Sequence, residues 1–391
     1  MAIHDYLQKE VLDGFDNYKY SAIDTSPISN YIYHPFWNRI VKLVPVWVAP
    51  NLLTFSGFVL LIVNFAVLTF YDPHFYASSR DHLESPPIPN WVWLMAALNN
   101  FLSHTLDGID GKQARRTKSS SPLGELFDHG LDSWAAFFLP VGLYSIFGRG
   151  EYGVSVYRVY LVMIGIMLCF ITSHWEKYNT GILFLPWGYD IGQLGMTLVY
   201  LITFFYGYEV WKFTLPLLHI STAEFFEMCC YLGFFGLTFP FTFWNIYKSY
   251  ADKSGKMRPF GEAMRPLVST LVLFGLMLLW ATFSPYGILD NQPRLLYWTT
   301  GTAFSNIACQ LIIAQMSNTR CELLNSKLLP LFFIVAMSLL MPLGIWEVYL
   351  LWVYCIYVTT THIWFGISVV QEMCMHFKIN AFSIKPELDV E

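Results

Sequence analysis

Apolar positions in this chain do not alternate with polar ones over short stretches. They run on for about twenty residues at a time, broken by short polar segments rich in Gly, Pro, Asn and Asp. About twenty residues of helix cross a bilayer. The pattern predicts ten such spans, near 49–71, 89–111, 122–147, 154–176, 190–208, 221–248, 262–283, 294–316, 326–344 and 346–371. Pro342-Leu343-Gly344 marks a tight turn between the last two. Before the first span, Tyr31, Ile32, Tyr33, Phe36 and Trp37 lie among Asn30, His34, Asn38, Arg39 and Lys42. Aromatics mixed with basic residues suit a helix lying in the membrane interface. The expectation is an all-α polytopic membrane protein of about ten transmembrane helices with an N-terminal interfacial helix.

Composition agrees: 55% of the 391 residues are hydrophobic and only 13% charged, against about 25% charged in an average soluble domain. A net charge of −5 gives no reason to expect a nucleic-acid partner. The seven cysteines lack paired zinc spacing and are expected to be buried thiols. No basic stretch followed by an apolar run marks a cleavable signal peptide at the start of the chain. With both termini cytosolic, 18 of the 23 Lys and Arg fall on the cytosolic side, leaving Arg80, Arg149, Arg158, Lys212 and Arg294 opposite. The positive-inside rule favours that orientation. No repeat relates the two halves, which counts against an inverted-repeat transporter.

One stretch breaks the apolar pattern with chemistry. Between Asp107 and Asp132 the chain carries four aspartates, Glu125, His129 and four basic residues. On a helix, Asp107 and Asp110 are i and i+3 and share a face with the small residues Gly111 and Ala114. Glu125, Asp128, His129 and Asp132 are i, i+3, i+4 and i+7, a core-facing stripe that here is acidic. A turn through Ser119-Ser120-Ser121-Pro122 lets the two helices converge their carboxylates.

An aspartate at a span centre costs about 2.5–3.5 kcal/mol to insert, so four unpaired ones would cost roughly 10–14 kcal/mol, a whole domain's stability. They must lie near the interface, be paired, or bind cations. Hard oxygen donors in this number suit Mg²⁺, Mn²⁺ or Ca²⁺ rather than zinc. Four carboxylates around two ions would clamp a phosphoryl group, and Arg115 can hold phosphate oxygens in a bidentate fork. His129 is a candidate proton acceptor, or a residue that only bonds a helix neighbour.

The pattern Asp107-x-x-Asp110-Gly111-x-x-Ala114-Arg115, then Gly124, Asp128 and Asp132, resembles the signature of the CDP-alcohol phosphotransferases at every fixed position. The surrounding Gly111-Lys112-Gln113-Ala114-Arg115-Arg116-Thr117 and Pro122-Leu123-Gly124-Glu125-Leu126-Phe127-Asp128-His129-Gly130 are similar to the eukaryotic choline/ethanolamine branch. That resemblance implies that Asp107, Asp110, Asp128 and Asp132 bind two Mg²⁺, with Mn²⁺ as an alternative. It implies that His129 is the general base, and that Gly111, Arg115, Glu125 and Asn51 contact the CDP moiety. On its own, Asn51 reads equally as a helix N-cap.

The run from His174 to Asp190, and Phe147-Gly148-Arg149-Gly150, resemble the ethanolamine-specific members. The implied reaction moves phosphoethanolamine from CDP-ethanolamine to diacylglycerol or alkyl-acylglycerol, giving phosphatidylethanolamine and CMP. A choline or dual-specificity enzyme is the near alternative. A trimethylammonium prefers an aromatic cage, whereas a primary ammonium needs acceptors such as Glu176 or Asp190. A cation transporter with an acidic intramembrane site, or an inactive scaffold, are the alternatives of other classes.

The resemblance also implies a homodimer in the endoplasmic reticulum or Golgi membrane, and the basic-residue count puts the acidic stretch at the cytosolic face. The expected organisation is an N-terminal cytosolic or interfacial segment 1–46, a catalytic core 47–247, C-terminal spans 248–371 and a cytosolic tail 372–391. Glu224, Glu227 and Asn245 are either lipid-path residues or helix-helix contacts. His104 is a neighbour of the acidic site, and His362 and Gln310 are expected in packing or dimer contacts.

Overall fold

The computed structural model describes residues 6–82, 84–185 and 187–384. Residues 1–5 of the N-terminal segment, Pro186 in the 174–190 run, and Lys385 with the rest of the tail to Glu391 lie outside the described residues. The protein is all-α; among the described residues a single two-stranded sheet pairs β1 (Ala22–Ile23) in parallel with β2 (Leu183–Phe184).

The N-terminal segment holds more than the helix expected among its aromatic and basic residues. It holds α1 (Lys9–Asp16), the strand β1, a π-turn over Ser29–Tyr33 and α2 (His34–Ile40). Only the second half has the expected interfacial character, burying Tyr33 and Trp37 while Tyr31, Ile32, Leu43 and Trp47 stay exposed. The first half, residues 6–26, is a tethered arm running along the helix ends.

The helices that follow coincide with the ten expected spans. They are α3 (Pro50–Tyr71), α4 (Asn90–Arg116), α5 (Pro122–Phe147), α6 (Val156–Thr180) and α7 (Trp187–Tyr206). A composite follows: α8 (Thr222–Tyr231), a π-segment Leu232–Thr238, and α9 (Phe239–Ala251). Then come α10 (Phe260–Phe283), the short α11 (Ile288–Asn291), α12 (Pro293–Ser317), α13 (Leu328–Leu340) and α14 (Trp346–Phe377). Their starts follow local chemistry: Pro50, Pro122 and Pro293 occupy first-turn positions whose N–H would have no partner. Ser121, Ser155 and Ser221 accept first-turn amides, and Ser221 with Glu224 completes a capping box.

Among the described residues, six of these helices are long and apolar enough to cross a membrane: α3, α5, α6, the α8–α9 composite, α10 and α14. The α13 helix is apolar but spans only 13 residues. Polar content lowers α4 and α12. In α12, Thr299, Thr300, Thr302, Ser305, Asn306 and Gln315 are all buried, because α5, α6, α10 and α14 surround it. Close approach demands Gly301, where a Cβ would stand 2.2 Å from the Phe137 ring of α5. His362 fits this packing role, bonding Ser305 at 3.0 Å and Asn306 at 3.3 Å, and Gln310 meets Asn325 at 2.9 Å. Lys177, expected in a cytosolic loop, is instead inside the last turns of α6 and 4% exposed.

Candidate active site

Two helices and the turn between them carry the acidic groups. The α4 helix ends at Arg116, the chain reverses through Lys118 with φ +55°, and α5 begins at Pro122. The reversal lays the end of α4 beside the start of α5. One carboxylate oxygen from each of Asp107, Asp110 and Asp128 then lies within 4.8 Å of the others. Asp132 is outside that trio, one helical turn deeper on α5 and within electrostatic reach of Asp107 and Asp110.

These groups are held in place but not neutralised. Thr54 Oγ1 of α3 donates to Asp110 Oδ2 at 2.6 Å, and the Gly111 amide caps the other oxygen. Tyr189 Oη of α7 donates to Asp107 Oδ2 at 3.4 Å. Asp128 Oδ1 is buried without a hydrogen-bond partner. Among the described residues, no lysine or arginine forms an ion pair with any of the four aspartates. Three converging carboxylates with an orphan oxygen are stable only with protons or cations among them. The all-oxygen donor set fits hard divalent ions of the Mg²⁺ type.

His129 follows on α5. Its Nε2 is buried and unpartnered. The His174 ring of α6 meets it edge-on, with centroids 5.2 Å apart and planes at 72°. His174 Nδ1 in turn is 3.0 Å from Gln315 Nε2 of α12.

Glu125 is already engaged. Tyr18 Oη donates to its carboxylate at 2.6 Å, and Lys177 Nζ forms an ion pair with it. In the last turn of α4, the Arg115 guanidinium folds back so that a Cβ on Gly111 would lie 3.6 Å from Nη1. Asn51 Oδ1 stands 3.7 Å from where a Gly124 Cβ would be. Asn51 is not the N-cap of α3; Ala49 holds that position.

Asp107, Asp110 and Asp128 thus come together, with Gly111, Arg115 and Asn51 near the end of α4 and the starts of α3 and α5, and His129 and Glu125 alongside. Of the two suggested ammonium acceptors, Asp190 lies beside the cluster, 3.4 Å from His104 Nε2 and within reach of Asp107. Glu176 faces away, towards Thr242 and Asn245. Glu224 and Glu227 both pair with Arg158, at 3.0 and 2.5 Å, which makes them helix-helix contacts. His104 packs against Tyr33, Trp37 and Tyr189.

Sequence reasoning did not place Thr54 or the arm residue Tyr18 at the site, and it met Tyr189, His174 and Lys177 only as part of the 174–190 run. His174 and Lys177, spaced i and i+3, did share a helix face. Nothing local said that the face looked at α5.

Comparison with known proteins agrees with this geometry. The family described as CDP-alcohol phosphatidyltransferase matches residues 47–223, which include the whole acidic stretch. Ethanolaminephosphotransferase 1 of Mus musculus is 49% identical over 393 residues, covering 100% of this chain and 97% of that protein. The chain belongs to the CDP-alcohol phosphatidyltransferase family. Within it, Choline/ethanolaminephosphotransferase 1 of Arabidopsis thaliana is 31% identical over 405 residues, covering 97% of this chain and 98% of that protein. Cholinephosphotransferase 1 of Danio rerio is 28% identical over 385 residues, covering 96% and 95%. The family fits a multi-pass membrane protein whose carboxylates stand where two helices meet.

Proposed function

We propose that this protein is an ethanolaminephosphotransferase. It transfers phosphoethanolamine from CDP-ethanolamine to the free hydroxyl of diacylglycerol or an alkyl-acylglycerol, releasing CMP. The observation that carries the reaction class is the trio Asp107, Asp110 and Asp128 within 4.8 Å of one another beside the unpartnered Nε2 of His129. The head group rests on full-length identity, 49% to an ethanolaminephosphotransferase against 28% to a cholinephosphotransferase.

Asp107, Asp110, Asp128 and Asp132 would hold two Mg²⁺ or Mn²⁺, which when bound neutralise the pyrophosphate and the developing charge. Arg115 grips phosphate oxygens, while Gly111, Gly124 and Asn51 leave room for the CDP moiety. His129 Nε2 accepts the proton of the lipid hydroxyl. The new bond forms between that oxygen and the β-phosphorus. The bridging P–O bond breaks, and CMP leaves with its electron pair. The chain's own contribution is positioning and a preset electrostatic environment.

The distribution of Lys and Arg supports a cytosolic site, where a soluble nucleotide meets a lipid held in the bilayer of the endoplasmic reticulum or Golgi. Purified protein with diacylglycerol, Mg²⁺ and either CDP-ethanolamine or CDP-choline tests the reading through CMP release. No CMP from either donor overturns the function; faster turnover with CDP-choline overturns the head group alone.

A further inference from the structure

The N-terminal arm crosses the cytosolic helix ends and is fixed at several points. The Tyr6 and Leu7 amides donate to the Glu372 carboxylate of α14 at 2.9 and 2.8 Å. Asp16 meets His376 at 2.8 Å. Gly14 lies flat on α12, where a Cβ would be 2.2 Å from the Ser317 carbonyl oxygen. Beyond these anchors, Leu183 and Leu185 donate to Ser21 and Ile23 at 3.0 Å. So the short stretch from Tyr18 to Tyr20 is held at both ends.

Both tyrosines of that stretch face the same cation: Lys177 Nζ lies 5.3 Å from the Tyr18 ring centroid and 5.1 Å from that of Tyr20. Tyr18 turns inward and is used up: its hydroxyl donates to Glu125 and accepts from Lys177 Nζ at 2.6 Å. Tyr20 follows on the same side but is not used up. It is 55% exposed, has Lys177 Nζ 5.1 Å from its ring centroid, and makes no ring-ring contact among the described residues. It lies within electrostatic reach of Glu125, Asp128, Arg115 and Asp110. An exposed aromatic ring therefore stands over Lys177, whose amine pairs with Glu125 one turn before Asp128.

We propose that the arm completes the nucleotide end of the site: Tyr20 is the platform on which the pyrimidine base of the CDP moiety stacks, and Tyr18 is the positioning residue that seats it. The inference rests on the function proposed above. The chemistry is general. Every base offers a π-face, and base–aromatic stacking supplies affinity beside a charged phosphate site. With the pyrophosphate held by the acidic cluster and Arg115, a base extending towards the cytosol meets Tyr20.

The test uses the full chain in detergent, with CMP binding and steady-state kinetics as readouts. Tyr20→Ala should raise the CMP Kd and the KM for CDP-ethanolamine about tenfold, with kcat little changed. Tyr20→Phe keeps the ring and should behave like the unmodified protein. Inorganic pyrophosphate, which has no base, should bind both variants alike. Tyr18→Phe should raise the same KM, because Tyr20 loses its seat. Unchanged CMP affinity in Tyr20→Ala, equal damage from Phe and Ala, or a matching loss for pyrophosphate overturns the stacking role. If the unmodified protein neither binds CMP nor releases it from CDP-ethanolamine, the functional reading fails and this one with it. If it does both and Tyr20→Ala is unaffected, only the stacking role falls.

Discussion

Lys177 of α6 and Glu125 of α5 form an ion pair inside the protein, their side chains only 3% and 8% exposed. Tyr18 closes the pair from above, its oxygen 2.6 Å from Lys177 Nζ. Removing one partner of a buried pair leaves an uncompensated charge and costs about 3–5 kcal/mol, whereas removing both is far milder. Lys177→Met should therefore lower the melting temperature markedly, and Glu125→Gln in the same chain should recover much of the loss. Thermal unfolding of the two single variants and the double variant measures the coupling. Additive effects would mean that the pair contributes nothing as a pair.

Asp110 takes its orientation from Thr54, whose hydroxyl is 2.6 Å from Oδ2. Thr54→Val keeps the shape and removes the donor. A hydrogen bond to a charged group is worth about 1.5–3 kcal/mol, so roughly a tenfold or greater fall in turnover is expected. The fold should survive, since Thr54 otherwise packs as a small side chain. Normal turnover in Thr54→Val would mean that Asp110 is placed by the backbone alone.

The fold was legible where the signal is local. Long apolar runs ended by Pro, Ser and Gly placed ten helical segments, six of which, among the described residues, are long and apolar enough to cross a bilayer, because such a helix satisfies its backbone internally and needs only length and hydrophobicity. The acidic trio was legible because i, i+3 spacing on two consecutive helices fixes which residues can converge. What stayed hidden depends on distant contacts. Glu372 receives amides 365 and 366 residues away, and no pattern near Tyr6 announces that tether. Lys177 resembled a loop cation until α6 turned it towards Glu125. The α12 helix read as one more span, although its run of Thr, Ser and Asn belongs to a helix enclosed by others rather than by lipid.

Asp128 carries the orphan oxygen of the cluster, so it is the group most dependent on a cation. Chelation should abolish CMP release, and Mg²⁺ or Mn²⁺ should restore it. Asp128→Asn replaces the proposed anionic ligand by a neutral one of the same size. It should lose turnover by at least a hundredfold, and excess Mg²⁺ should fail to rescue it. Recovery of Asp128→Asn at high Mg²⁺ would reduce its role to tuning affinity.

His129 is separable from the metal and nucleotide groups, because its Nε2 has no partner in the protein and its ring contacts His174 rather than a carboxylate. A general base contributes about 10²–10⁴-fold to rate and little to ground-state binding. His129→Ala should therefore lose turnover on that scale while its CMP Kd and Mg²⁺ requirement for binding stay as they are. His174→Ala offers the contrast. It removes an edge contact and the link to Gln315, so it should cost less and leave a shifted pH profile, as expected of a residue that orients the base. Equal losses in both variants would assign the proton transfer to the pair, and near-normal turnover in His129→Ala would remove it from the mechanism.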